Sequence, residues 1–209
     1  MAAAPRRVGA ETSKTRDALL DCVEQLLLDT GYASISYRAL ASEAGVTPSL
    51  VQYYFPTLDD IFLSAIRRYS ERNLEYLTKT LRENPDDPLK TLWNYNQREA
   101  TGAMMTEFMA LGNHRKSIQA EIAKVTKRMR KVQVDALAAK YGKDARLGGD
   151  LSLSALQLLM SGIPKFLSLE EGVGVKTAHK EVTAAFEKFL ESLDAEPATP
   201  PTRGGARRR

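Results

Sequence analysis

The sequence predicts an all-α chain of about nine helices, and three observations predict it. No run alternates β-branched and aromatic residues between turn dipeptides, the pattern a half-buried strand leaves. Apolar residues recur instead at three- and four-residue steps along most of the chain. The segments so defined are bounded by helix starters (Ser, Thr, Asp) and by Gly or Pro clusters that stop them. With 209 residues, 43% hydrophobic and 27% charged, the chain has the balance of an ordinary globular protein and the length of one domain or two closely packed ones.

The first helix spans Arg16–Thr30, with Leu19, Leu20, Cys22, Val23, Leu26 and Leu27 on its apolar side and Gly31 as its stop. A short helix follows Ser36 as N-cap and ends at Gly45. The next fits Pro48–Tyr53, with Thr47 as N-cap and Pro48 at the first helical position, where a missing N–H costs nothing. Thr57 caps a fourth helix whose first turn carries Asp59 and Asp60, at the positive end of its dipole. Leu58, Ile61, Phe62, Ala65, Ile66, Tyr69, Leu77 and Leu81 carry that helix to the turn cluster at 83–88. The remainder reads as Leu89–Gly102, Thr106–Leu111, Ser117–Tyr141, a loop at Gly142–Gly149, Leu151–Leu169 capped by Asp150, and Thr177–Leu193. Pro164 should kink the Leu151–Leu169 helix or end its regular part. No sheet and no repeat of fixed period are expected.

Composition excludes several function classes. Cys22 stands alone and reads as a small apolar filler, so it forms no internal disulfide. His114 and His179 are the only histidines, so no zinc set exists, and neither metal nor cofactor is expected. No Ser/His/Asp or Cys/His arrangement suggests an enzyme. No apolar stretch approaches the roughly 18 residues of a membrane span, and MAAAPRRVGA lacks the apolar core of a secretory signal. The expectation is a cytoplasmic protein with no membrane partner. The net charge of +4 hints at nucleic acid, yet residues 1–60 hold five basic side chains against eight acidic ones, so bulk charge does not carry that reading.

The pattern does. A helix-turn-helix needs a small residue where its two helices cross, a residue tolerant of positive φ in the turn, and apolar residues on the facing sides. Ala41 lies four before Gly45, and Leu40, Ala44, Val46, Val51 and Tyr54 fall on the inward side. A plain helical hairpin meets part of this, but the inward set and the capped Thr47-Pro48 start favour the motif. Residues 16–68 also resemble the DNA-binding domain of the tetracycline-repressor (TetR) family of bacterial regulators. The marks are the first helix ending in Gly31-Tyr32, the Ser36–Gly45 helix, Gly45-Val46-Thr47, and above all Val51-Gln52-Tyr53-Tyr54-Phe55-Pro56-Thr57-Leu58-Asp59-Asp60-Ile61-Phe62. One departure stands out: the family usually has a phosphate-binding lysine where this chain has Leu58.

The resemblance implies a transcriptional regulator, a repressor more than an activator, released from a palindromic operator by a small, largely apolar effector. It divides the chain into a flexible arm (1–12), a DNA-binding domain (13–58, the motif at about 36–55), a helical effector-binding and dimerisation domain (59–194) and a disordered basic tail (195–209). The second helix of the motif presents Thr47, Pro48, Ser49 and Gln52 to the major groove, and the Gln52 amide suits adenine N6 and N7. Tyr53 and Tyr54 flank the backbone by analogy with the family, one of them packing inward, and Lys14, Ser36 and Arg38 supply further phosphate contacts. The arm with Arg6 and Arg7 fits either a minor-groove contact or a disordered leader. Roughly four phosphates neutralised per half-site predict a log K against log salt slope of about −7.

Leu151–Leu169 is apolar almost all round and needs cover on two sides, which a large monomer or a partner can supply; the resemblance implies that with Thr177–Leu193 it forms half of a four-helix homodimer bundle. Effector-pocket candidates are Trp93, Tyr95, Met104, Met105, Phe108, Met109 and Ile122, a stripe that ordinary core packing also explains. A solvated helix face accounts for the basic run Lys124–Lys131, and Gly172-Val173-Gly174-Val175 lacks the third glycine of a phosphate loop. The competing reading is a helical protein–protein adaptor without DNA-binding activity.

Overall fold

The computed structural model describes residues 14–100 and 103–195. Among these are nine α-helices: α1 Lys14–Thr30, α2 Tyr37–Glu43, α3 Pro48–Tyr54, α4 Leu58–Glu83, α5 Pro88–Ala100, α6 Ala103–Gly112, α7 Lys116–Tyr141, α8 Leu153–Gly172 and α9 His179–Ala195. A single 3-10 turn, Tyr32–Ser34, follows α1. Local chemistry sets the starts. The Ser36 and Thr47 side chains accept from Ala39 N–H and Leu50 N–H as expected. At the head of α4, Thr57 Oγ1 accepts from Asp60 N–H (3.1 Å) while Asp60 Oδ2 accepts from Thr57 N–H (3.0 Å), a reciprocal cap.

Three expectations fail in the later part of the chain. The 142–149 loop is not structureless: β1 Arg146–Leu147 pairs antiparallel with β2 Leu151–Ser152 across Gly148 and Gly149, both at positive φ. That pairing takes Leu151 out of the helix, so Ser152, not Asp150, caps α8 by accepting from Ala155 N–H at 3.2 Å. Of the two outcomes expected at Pro164, the helix does not end there: α8 runs on through the proline to Gly172. Finally, α9 begins at His179 and not Thr177, because Ala178 stands at φ 62°, in the left-handed region.

The chain divides into two compact units. The first comprises residues up to Asn73 and the segment Ala103–Thr126. Its core is Leu19, Leu20, Val23 and Leu27 of α1, Leu40 and Val51 of the motif, Ile61, Phe62 and Ile66 of α4, and Phe108, Leu111 and Ile118 of α6 and α7. As packing, residues 59–73 and 103–126 therefore go with the N-terminal helices, although the sequence groups them with the C-terminal ones. Polar ties reinforce this. Glu107 of α6 accepts the Tyr32 N–H at 3.0 Å, Asp59 accepts from Arg115 and from Ser117 (2.5 Å each), and Glu121, buried, pairs with Arg67 at 2.8 Å.

The second unit comprises Leu74–Gly102 and the residues from Lys127 onward. Leu77, Leu89, Leu92, Trp93, Leu137, Leu156, Met160 and Leu190 are buried in its core. A carboxamide triad lies among them: Asn96 Nδ2 and Gln157 Nε2 both donate to Gln133 Oε1, at 3.2 and 3.3 Å, and Gln157 Oε1 has no partner among the described residues.

Candidate nucleic-acid interface

Two seven-residue helices are far too short to persist alone, so α2 and α3 exist by tertiary packing. Leu40 and Ala41 of α2 and Val51 of α3 are buried in the first unit's core. Between them, Gly45 at φ 64° lets Val46 N–H return to Ala41 O (2.9 Å), which turns the chain. A Cβ at Gly45 would meet nothing within 4 Å, so backbone conformation and not space demands glycine there. Tyr37 Oη donates to Phe55 O at 3.0 Å and ties the start of α2 to the end of α3.

With Val51 facing in, α3 turns Pro48, Ser49, Gln52 and Tyr53 to solvent, together with Thr47 ahead of it. The Gln52 amide makes no hydrogen bond to any described residue and is free to read a base edge. Thr47 and Ser49 share a hydroxyl–hydroxyl bond of 3.0 Å. The tyrosine pair resolves by burial: Tyr53 is 53% exposed, whereas Tyr54 is half-buried, packs on the core and meets Tyr53 edge-on at 5.2 Å. Lys14, Ser36 and Arg38 are exposed, and neither Lys14 nor Arg38 has an ion-pair partner among the described residues. Arg6 and Arg7 lie outside the described residues, as does the 196–209 tail.

Leu58 has a packing role: it is half-buried against the first unit's core, where a lysine would leave an ammonium. Arg16 is structural too, donating to Ser64 at 2.7 Å with its guanidinium 5.0 Å above the Phe55 ring. The acidic surplus of the first sixty residues is compensated from further along the chain. Arg68 and Arg72 pair with Glu24, Arg68 also with Asp21, and Arg115 with Asp59. Hydrogen bonds from Ser117 and Arg115 hold the Asp59 carboxyl below the usual carboxylate range. Over its described residues the first unit holds nine basic and ten acidic side chains, so attraction to DNA must come from local placement of the free cations.

Residues 19–65 match the sequence profile of bacterial regulatory proteins of the tetR family. The HTH-type transcriptional repressor BepR of Brucella suis biovar 1 (strain 1330) is 29% identical over 174 residues, covering 78% of this chain and 83% of that protein. Over its N-terminal segment the chain is thus similar to the TetR family. The fold agrees. A TetR-family regulator from Rhodococcus sp. superposes with a TM-score of 0.69 at 17% identity, covering 87% of this chain and all of that one. A transcriptional regulator from Saccharomonospora viridis, in complex with choline, gives 0.70 at 16%, covering 91% and 100%. The protein is thus an all-α, DNA-binding regulator. No helix among its described residues is long and apolar enough to cross a membrane.

The seven pocket candidates do not meet in one place within either unit. Met104, Phe108 and Ile122 are buried in the first unit, with Met105 half-buried and Met109 exposed. Trp93 and Tyr95 belong to the core of the second, and Trp93 lines a cavity there. On α8 and α9 the apolar excess is real: Leu158, Phe166, Leu169 and Val182 are exposed, Phe166 by 60%. Sequence reasoning did not find Glu107, Arg115 or Glu121, whose roles depend on contacts 54 to 75 residues away in the chain.

Proposed function

We propose that the chain is a homodimeric repressor that binds a palindromic operator and is released by a small effector. The observation that carries this is the outward set Ser49, Gln52 and Tyr53 on a capped α3 whose other side is locked by Val51 and Tyr54. Residues 13–58 read DNA in this account, through Lys14, Ser36, Arg38, Thr47, Pro48, Ser49, Gln52 and Tyr53, with Tyr54 supporting from beneath. One recognition helix reads only a few base pairs, so specificity requires two copies on an inverted repeat. The exposed apolar side chains of 151–169 and 177–193 support self-association. The repressor sense follows that of BepR, and the choline complex of the Saccharomonospora viridis regulator supports a small-molecule effector on this fold. The protein acts by binding and not by catalysis, in the cytoplasm.

The test is selection of bound sequences from random duplex DNA, with sedimentation of the free protein. An enriched inverted repeat, lost in the Gln52→Ala/Tyr53→Ala variant while the dimer persists, supports the reading. No enrichment at low salt refutes it and leaves a protein–protein adaptor.

A further inference from the structure

The second unit holds a cavity of about 330 Å³ bounded by α5, α8 and α9, a volume in the range of small-ligand sites. Trp93, only 4% exposed, lies in its wall, fixed from behind by Phe186 with ring centroids 5.0 Å apart. Beside it stands Glu187 of α9. Its Oε1 accepts from Trp93 Nε1 at 3.0 Å and from Gln97 Nε2 at 3.1 Å. Both donors are neutral, both use the same oxygen, and no cation among the described residues pairs with the carboxylate. A half-buried carboxylate oriented by neutral donors alone lacks a counter-charge, and partial desolvation makes that lack costly.

The rest of the lining points the same way. Glu171 of α8 adds a second carboxylate, against one lysine, Lys180, which is exposed. His179, 6% exposed, also lines the cavity. Its Nε2 meets Glu170 at 2.8 Å, while its buried Nδ1 has no hydrogen-bond partner and lies 3.5 Å from Glu171. An anion would face two carboxylates. No group of three side chains suited to a metal ion occurs among the described residues. What remains is a cation with an apolar body: the charge for Glu187, the body for the indole and the apolar flank of α8.

We propose that this cavity binds a small organic ammonium ion, paired with Glu187 and packed against Trp93. This names the effector class that the functional reading leaves open, and rests on that reading for its consequence at the operator, though not for the binding itself. Trp93 is the only tryptophan in the chain, so its selectively excited fluorescence reports occupancy directly. The probe is phenethylammonium, with its neutral analogue 2-phenylethanol as control, titrated into the full-length protein without DNA.

The expected result is a saturable change for the ammonium, binding at least tenfold weaker for the alcohol, and a tenfold or greater loss in Glu187→Gln for the ammonium only. Glu187→Gln keeps an acceptor for Trp93 and Gln97, and its thermal midpoint shows whether it folds; should it not, Glu171→Gln takes its place with the same expected sign. No saturable response up to about 10 mM, equal affinity for the two probes, or an unaltered response in the folded variants overturns the proposal. Operator affinity is then read separately. Binding without release refutes the effector role and leaves the site standing.

Discussion

Arg38→Gln is the sharpest test of how the first unit meets DNA. Among the proposed contacts only Lys14 and Arg38 are cations, both exposed and without ion-pair partners among the described residues, while Ser36, Ser49 and Tyr53 offer neutral hydroxyls that release no counterions. Two charges per subunit in a dimer neutralise about four phosphates, which predicts a log K against log salt slope of about −3.6. This is half the value of about −7 obtained when four phosphates per half-site are counted without regard to the charge of the contacting group. Removing Arg38 from both subunits should take the slope to about −1.8 and weaken binding to every sequence alike. Fluorescence anisotropy of the selected duplex, at salt concentrations from about 50 to 300 mM, measures both quantities. A slope unchanged in Arg38→Gln would mean that this side chain never reaches the backbone. A wild-type slope near −7 that falls by about half on deletion of residues 1–12 would assign the missing charges to Arg6 and Arg7.

Glu107→Gln separates positioning from bulk electrostatics by sign. Removing an anion from a DNA-binding unit should tighten binding if field alone matters, but weakening the acceptor for Tyr32 N–H should loosen the turn before α2 and lower operator affinity several-fold, with the salt slope unchanged. In stability, Gly45→Ala should cost about 1 kcal/mol from positive φ alone. Gly148→Ala carries the same strain and also drives a Cβ to 2.5 Å from Phe189 Cζ. It should therefore cost about 1–3 kcal/mol more, read from urea midpoints. Acid should also destabilise the first unit. Asp59, through Ser117 and Arg115, and Glu121, through Arg67, have folded-state values below the ordinary carboxylate range, so the unfolded chain takes up these protons first. Their contribution is complete above about pH 5 and is lost as pH falls through the folded values. Urea midpoints should hold level from neutrality to that point and then drop, and the drop should flatten in Asp59→Asn/Glu121→Gln.

The motif was legible because its determinants are local. Ser36, Gly45 and Thr47-Pro48 act within four residues of themselves, through caps and a left-handed turn, and the alternation of Leu40, Val51 and Gln52 between inside and outside follows from helical period. What was not legible depends on distant partners. Asp150 and Ser152 are equally good caps by type, and only the pairing of Leu147 with Leu151 selects the serine. The choice between Tyr53 and Tyr54 waits on what lies beneath α3. Ala178 gives no sign in its own chemistry that it takes positive φ. The division of the pocket candidates between two cores was not legible for a similar reason: periodicity sorts side chains as apolar, but which core each joins is a property of the packed chain.

The carboxamide triad of Asn96, Gln133 and Gln157 bears on how readily the second unit changes shape. A hydrocarbon interior with one oxygen left wanting a proton is poorer than it need be by about 1–3 kcal/mol. Three helices, α5, α7 and α8, therefore hold their register through bonds to a single shared acceptor while carrying that debt, and any sliding that finds the oxygen a donor recovers it. Replacing Gln157 by methionine would make this interior firmer, and in the same stroke remove its reason to yield.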